Sequence, residues 1–168
     1  HHDGFAMFQS DASNFNIVDY TPFKRDVLDE LVLACRKHDM KFGFYYSQSQ
    51  DWNNPGGANA RKLMHEGWPN PDSLEINDYT AANRGSWDCL QTTASFDDYL
   101  HRVALPQLKE LTGRYPDVSV IWWDTPMSIT DKQAALLQNE IEKYPHIITN
   151  DRLKRPNFAG DYKTPEGR

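Results

Sequence analysis

Val118-Ser119-Val120-Ile121-Trp122-Trp123-Asp124-Thr125-Pro126 is the stretch that decides how this chain reads. Valine, isoleucine and tryptophan dominate residues 118–123, which is strand composition. The run stops on a carboxylate and a Thr-Pro pair. A charged group set directly after two indoles is costly to bury unless it is paired or used. Taken alone, Asp124 reads as a turn or N-cap residue, where aspartate is common.

Working outward, strands and helices alternate. Before the central run, residues 41–47 (Lys-Phe-Gly-Phe-Tyr-Tyr-Ser) are short and aromatic and read as a buried strand. After it, residues 146–149 (His-Ile-Ile-Thr) read as a third strand, ending at Asn150-Asp151-Arg152. Three helices fall between and before these. Thr21-Pro22 opens the first, with an N-cap threonine and a proline whose missing N–H had no partner anyway. Val27, Leu28, Leu31, Cys35 and His38 give it one stripe to about Met40, with His38 at the boundary. Ser95 with Asp98 starts the second, whose buried side is Tyr99, Val103, Leu108 and Leu111, and Pro106 predicts a kink. Thr130 with Gln133 starts the third, carrying Ala134, Leu137 and Ile141 inward. The tail Gly160-Asp161-Tyr162-Lys163-Thr164-Pro165-Glu166 reads as a strand end or a loop. This alternation predicts βαβ units: an α/β fold, with a parallel sheet and helices outside it.

Residues 48–94 break the pattern. Asn53-Asn54-Pro55-Gly56-Gly57 and Trp68-Pro69-Asn70-Pro71 are turn chemistry, and residues 58–66 have helical composition. A connection this long inside a compact domain is usually functional or disordered, and Trp52, Trp68 and Trp87 argue against disorder.

Composition excludes several classes. The chain has 168 residues, 39% of them hydrophobic, enough to bury a core, and a net charge of −6 with no basic face of the kind a nucleic-acid binder shows. No apolar run approaches the ~18 residues of a membrane helix. Cys35 and Cys89 are too few for a disulfide framework and read as ordinary thiols. At the start, His1-His2 reads either as a tag remnant or as the end of a strand whose earlier residues are missing. The apolar run through Phe5, Ala6, Met7 and Phe8 favours the second.

In a parallel α/β protein the active site lies at the carboxyl ends of the strands. Here His1 and His2, Tyr45 and Ser47, Asp124, and Asp151 with Arg152 all occupy such ends. Singly they are bland: Arg152, with Lys154 and Arg155 nearby, reads as part of a charged surface turn, and Glu166 is uninformative. Their recurrence at equivalent positions is what points to a site. Two carboxylates across a cleft are the minimal equipment for glycoside hydrolysis. Tryptophan and tyrosine suit sugars, since their rings cover C–H faces.

The ordered set His1-His2-Asp3-Gly4-Phe5, Thr21-Pro22-Phe23-Lys24-Arg25-Asp26, Phe42-Gly43-Phe44-Tyr45-Tyr46-Ser47 with Asp51-Trp52, Val120-Ile121-Trp122-Trp123-Asp124, Asn150-Asp151-Arg152 and Gly160-Asp161-Tyr162-Lys163-Thr164-Pro165-Glu166 resembles the glycoside hydrolase family 29 α-L-fucosidases over almost the whole chain. The resemblance implies a retaining hydrolase on a (β/α)₈ barrel, acting on a fucosylated oligosaccharide or glycoconjugate. It maps the nucleophile onto Asp124 and the acid/base onto Glu166. It maps sugar binding onto His1, His2, Tyr45 and Arg152, with Trp52 among the substrate-binding residues. It implies no cofactor, no metal, no nucleic-acid partner, no membrane span, and a periplasmic or extracellular location; oligomeric state is not readable. The chain departs from many members in having Thr125-Pro126 where they follow the nucleophile with glycine. A barrel of this kind takes ~250 residues, so residues 1–168 are expected to be part of one catalytic domain, without its first strands or its barrel end.

Two other readings compete. A metal-dependent barrel hydrolase would use His1, His2 and Asp124 as ligands; adjacent histidines do not share a face as an HExxH pair does. A barrel that binds fucose without cleaving it would keep the pocket alone.

Overall fold

The computed structural model describes residues 2–59 and 94–165. In chain order these form α1 (Ile17–Tyr20), α2 (Val27–Lys37), β1 (Gly43–Ser47), α3 (Phe96–Tyr99), a π-helical turn (Leu100–Ala104), α4 (Leu105–Arg114), β2 (Val120–Asp124), α5 (Asp131–Ile141) and β3 (Ile148–Thr149). The three strands are parallel and lie in the order β1-β2-β3. Each is reached from the last through helix, as the alternation predicts.

Register explains the layering. Phe44 lies opposite Ile121, and Tyr46 opposite Trp123. All four are buried, joining Tyr99, Leu100, Leu108, Leu111 and Leu137 in one core between sheet and helices. The alternate residues Tyr45, Trp122 and Ile148 are 42%, 38% and 44% exposed on the other face. Residues 41–47 are therefore not a uniformly buried strand. With helices packed on one face only among the described residues, burial follows the two-residue period of the strand.

Helix ends followed local chemistry where a cap was present. Thr130 and Gln133 make a reciprocal capping box at α5, and Ala134, Leu137 and Ile141 are buried as expected. Ser95 Oγ accepts from the Asp98 N–H at the start of α3. Tyr99, Val103, Leu108 and Leu111 all face the core. Pro106 sits at the second position of α4, directly after the π turn, and the Leu105 N–H bonds back to Leu100 O. The helix changes pitch just ahead of a residue that has no N–H to give.

The first helix differs from its prediction. Thr21 closes α1 instead of opening α2, and Lys24 takes a left-handed φ of 54°, which interrupts the helix. Asp26 then caps α2, accepting from the Leu28 and Asp29 N–H groups. An aspartate cap competes successfully with Thr-Pro because it satisfies two orphan donors at once. The inward stripe is Leu28, Val32 and Cys35; Val32 is buried, whereas Leu31 and His38 are exposed. Cys35 is a free, half-buried thiol. The tail meets β3 through a single parallel bridge, Asn150 to Tyr162. The expected helix at 58–66 falls largely outside the described residues, and Trp68, Trp87 and Cys89 lie wholly outside them.

Candidate active site

Because Trp123 points into the core, the next residue of β2 points the other way, at the carboxyl end of the sheet. Asp124 pairs in register with Ser47, and Tyr45 lies one same-face step back along β1. The Tyr45 hydroxyl donates to Asp124 Oδ2 at 2.6 Å. From beyond β3, Arg152 Nη1 donates to Asp124 Oδ1 at 3.0 Å. His2 arrives from the N-terminal segment with Nε2 3.9 Å from Asp124 Oδ2 and Nδ1 2.8 Å from Ser47 Oγ. Trp52 borders the same place: its ring lies 5.8 Å from the His2 ring, and its backbone N–H donates to His2 O. Thus His2, Tyr45, Trp52, Asp124 and Arg152, spread over most of the chain, converge at one rim. His1 and Glu166 lie outside the described residues.

The ionic state of the centre follows from these contacts. Burial pushes the Asp124 carboxyl upward. Bonds from the Tyr45 hydroxyl, the Thr125 N–H and Arg152 outweigh it and hold the group below the usual carboxylate range. Asp124 is therefore an anion at neutral pH. Burial and the neighbouring carboxylate push the Tyr45 phenol well up, so it stays protonated and remains a donor. The Arg152 side chain is 8% exposed, and a buried guanidinium needs more than one partner. Nε donates to Thr164 Oγ1 at 2.6 Å and Nη2 to Thr164 O at 3.2 Å, fixing the fork while Nη1 holds Asp124.

Further residues hold the site: Gln48 has no mark in the sequence reading, Asn150 and Asp51 enter it only inside quoted motifs, and Asp151 only as a strand-end group. Gln48 is fully buried and ties all three strand ends together. Its Oε1 accepts from the Asp124 N–H, and its Nε2 donates to the carbonyls of Arg152 and Leu153. Asn150, also fully buried, uses Oδ1 to accept from the Trp123 and Arg152 N–H groups and Nδ2 to donate to Trp123 O. Asp151 Oδ1 accepts from the Thr164 N–H and hydroxyl and from Arg155. Despite some burial, Arg155 and Thr164 hold the Asp151 carboxyl at about 2. The signal available was an amide or carboxylate directly after an apolar run, the feature that drew attention to Asp124. Asp51, beside Trp52, is 2% exposed, and burial pushes its carboxyl up; it accepts from Asn53, Asn54 N–H and Asn54 Nδ2 to close the loop that carries Trp52.

This arrangement is an ionised carboxylate, clamped from three sides and facing an imidazole that an indole flanks. It suits attack on an electrophilic carbon more than metal ligation, since the Arg152 guanidinium already neutralises Asp124. Among the described residues no group of three or more His, Cys, Asp or Glu is placed to hold a metal ion.

The sequence profile of the Alpha-L-fucosidase family matches residues 1–168. The chain belongs to this family. Human plasma alpha-L-fucosidase is 29% identical over 160 residues, covering 90% of this chain and 27% of the human protein. The alpha-L-fucosidase AlfC from Lactobacillus casei, solved with its alpha-L-fucose product, is 32% identical with a TM-score of 0.73, over 94% of this chain and 46% of that one. A family 29 alpha-L-fucosidase from Bacteroides thetaiotaomicron, solved as a trapped covalent intermediate, is 26% identical with a TM-score of 0.68, over 97% of this chain and 34% of that one. The chain therefore spans about a quarter of the length of its curated relatives and less than half of those two solved chains. With these fucosidases as structural neighbours, the parallel strands and outer helices are part of a (β/α)₈ barrel.

Proposed function

We propose that this chain supplies the nucleophile and most of the sugar-binding wall of a retaining α-L-fucosidase, within a single catalytic barrel domain. The observation that carries the reading is the Asp124 carboxylate, kept ionised by Tyr45, Thr125 and Arg152 at the strand-end rim where His2 faces it and Trp52 flanks His2. The family match and the covalent intermediate trapped in the Bacteroides relative support it.

In this mechanism an Asp124 oxygen attacks C1 of a terminal α-L-fucose. The C1–O bond to the leaving group breaks, and Glu166, protonated, donates to the departing oxygen. Glu166 then takes a proton from water, which attacks C1, opens the glycosyl ester and returns Asp124 as a carboxylate. Two inversions leave the anomeric configuration retained, and the two carboxyl groups of such an enzyme stand ~5–5.5 Å apart. His1, His2, Tyr45 and Arg152 bind hydroxyls, so that binding energy is realised in the oxocarbenium-like transition state. Trp52 packs against the sugar's apolar face. The substrate is a fucosylated oligosaccharide or glycoconjugate, encountered in the periplasm or outside the cell; relatives named as plasma enzymes support that location.

The test uses the full-length enzyme and an aryl α-L-fucoside. Asp124→Gly is expected to abolish turnover, and added azide to restore part of it as the fucosyl azide. Unchanged turnover in that variant removes Asp124 from the mechanism. Fucose binding with no hydrolysis by the unmodified enzyme would favour the non-catalytic reading.

A further inference from the structure

Thr125 combines a demanding backbone with a dense set of bonds. Its φ is 56°, in the left-handed region that favours glycine and that β-branched side chains seldom enter. The residue is 7% exposed, so water does not relieve it. Its N–H donates to Asp124 Oδ1 at 2.7 Å, and its hydroxyl donates to the Asp124 carbonyl at 2.7 Å. That hydroxyl also lies 3.4 Å from Ser47 Oγ, which is 2.8 Å from His2 Nδ1. A threonine persists in such a conformation where its surroundings over-determine it, and such positions cluster at working sites.

We propose that Thr125 is a positioning residue whose hydroxyl clamps the end of β2 in the left-handed conformation, aims its own N–H at the Asp124 carboxylate, and through Ser47 sets that clamp against the His2 imidazole. One residue thus grips Asp124 at both its carboxylate and its carbonyl. Glycine adopts this φ without strain and needs no clamp; a threonine does. The groups facing Asp124 are Tyr45 from β1, His2 from the N-terminal segment, Arg152 from beyond β3 and the Thr125 N–H itself. The N–H and Arg152 share Oδ1, so if the backbone relaxes Arg152 holds that oxygen alone. Losing a bond to the charged form weakens the carboxyl as an acid and raises its pKa, and the acidic limb of kcat/KM reports that group in the free enzyme.

This inference rests on Asp124 being the nucleophile, and the experiment separates the two. In the full-length enzyme, Thr125→Val keeps the β-branch and deletes the hydroxyl. It is expected to lower kcat by about tenfold or more and to move the acidic limb of kcat/KM to higher pH. Thr125→Gly deletes the clamp and the need for it, so its limb stays at the wild-type position; Thr125→Ser restores both readouts. If Thr125→Val does not fold, Thr125→Ala removes the same hydroxyl and is read by the same limb. A limb that stays in place in the valine or alanine variant overturns the proposal. So does a glycine variant whose limb moves as far as theirs. Asp124→Gly with azide, run alongside, tests the nucleophile by itself: azide rescue together with a stationary Thr125→Val limb overturns the clamp alone.

Discussion

Replacing Arg152 by methionine isolates what the ion pair at the centre contributes. The Arg152 and Asp124 side chains are 8% and 19% exposed, and Nη1 lies 3.0 Å from Oδ1. A hydrogen bond to a charged group contributes about 1.5–3 kcal/mol, and each neutral one about 0.5–1.5 kcal/mol. Methionine removes the bond to Asp124 and both bonds to Thr164. It also leaves Asp124 buried without a countercharge, so the expected loss of folding stability at pH 7 is about 3–5 kcal/mol, the range for breaking a buried pair from one side. The pH dependence has a definite sign. In the wild type the folded-state Asp124 carboxyl lies below its ordinary value, so it contributes stability above about pH 4 that is lost as the pH falls through the depressed value. In the variant burial acts with less opposition and the carboxyl rises. The destabilisation is then present at neutral pH and relieved as acid protonates the group. Urea unfolding of the full-length protein at pH 7 and at pH 4 measures both. A loss below about 1 kcal/mol at pH 7 would place the pair among weak surface pairs. A loss of the same size at both pH values would refute the charge argument.

Tyr45→Phe removes the 2.6 Å bond to Asp124 Oδ2 and the phenol's contact with Ser47. The acidic limb of kcat/KM should move to higher pH by roughly one to two units, the equivalent of a charged hydrogen bond at 1.36 kcal/mol per unit; a pH profile with an aryl fucoside checks it. Trp123→Ala, at a fully buried indole, should cost about 3–5 kcal/mol of folding stability, measured by urea unfolding. Thr130→Ala opens the capping box of α5 and should cost about 1 kcal/mol with kcat unchanged, since the cap lies away from the rim residues.

Local chemistry is legible where one cap stands without a rival nearby. Ser95 and Thr130 start helices because their hydroxyls satisfy N–H groups three positions on, and the partners are adjacent in the text of the chain. The strand end at Asp124 was visible as a carboxylate after an apolar run. The start of α2 was misplaced because Thr21-Pro22 and Asp26 both offer plausible caps, and the left-handed Lys24 between them has no sequence mark. The site residues came from the resemblance to a family, with strand-end position as support; periodicity alone would have left Arg152 in a surface turn.

What the residues determined by themselves was the alternation, because hydrophobic spacing is a property of consecutive positions. It set a parallel α/β layer with polar groups at one end of its strands. Only tertiary structure decided which of those groups work together. Gln48 meets Arg152 across 104 residues and Tyr45 meets Asp124 across 79, and Thr125 turns left-handed to reach the carboxylate beside it. Such bonds depend on distances closed through the sheet, and a linear order of side chains does not contain them.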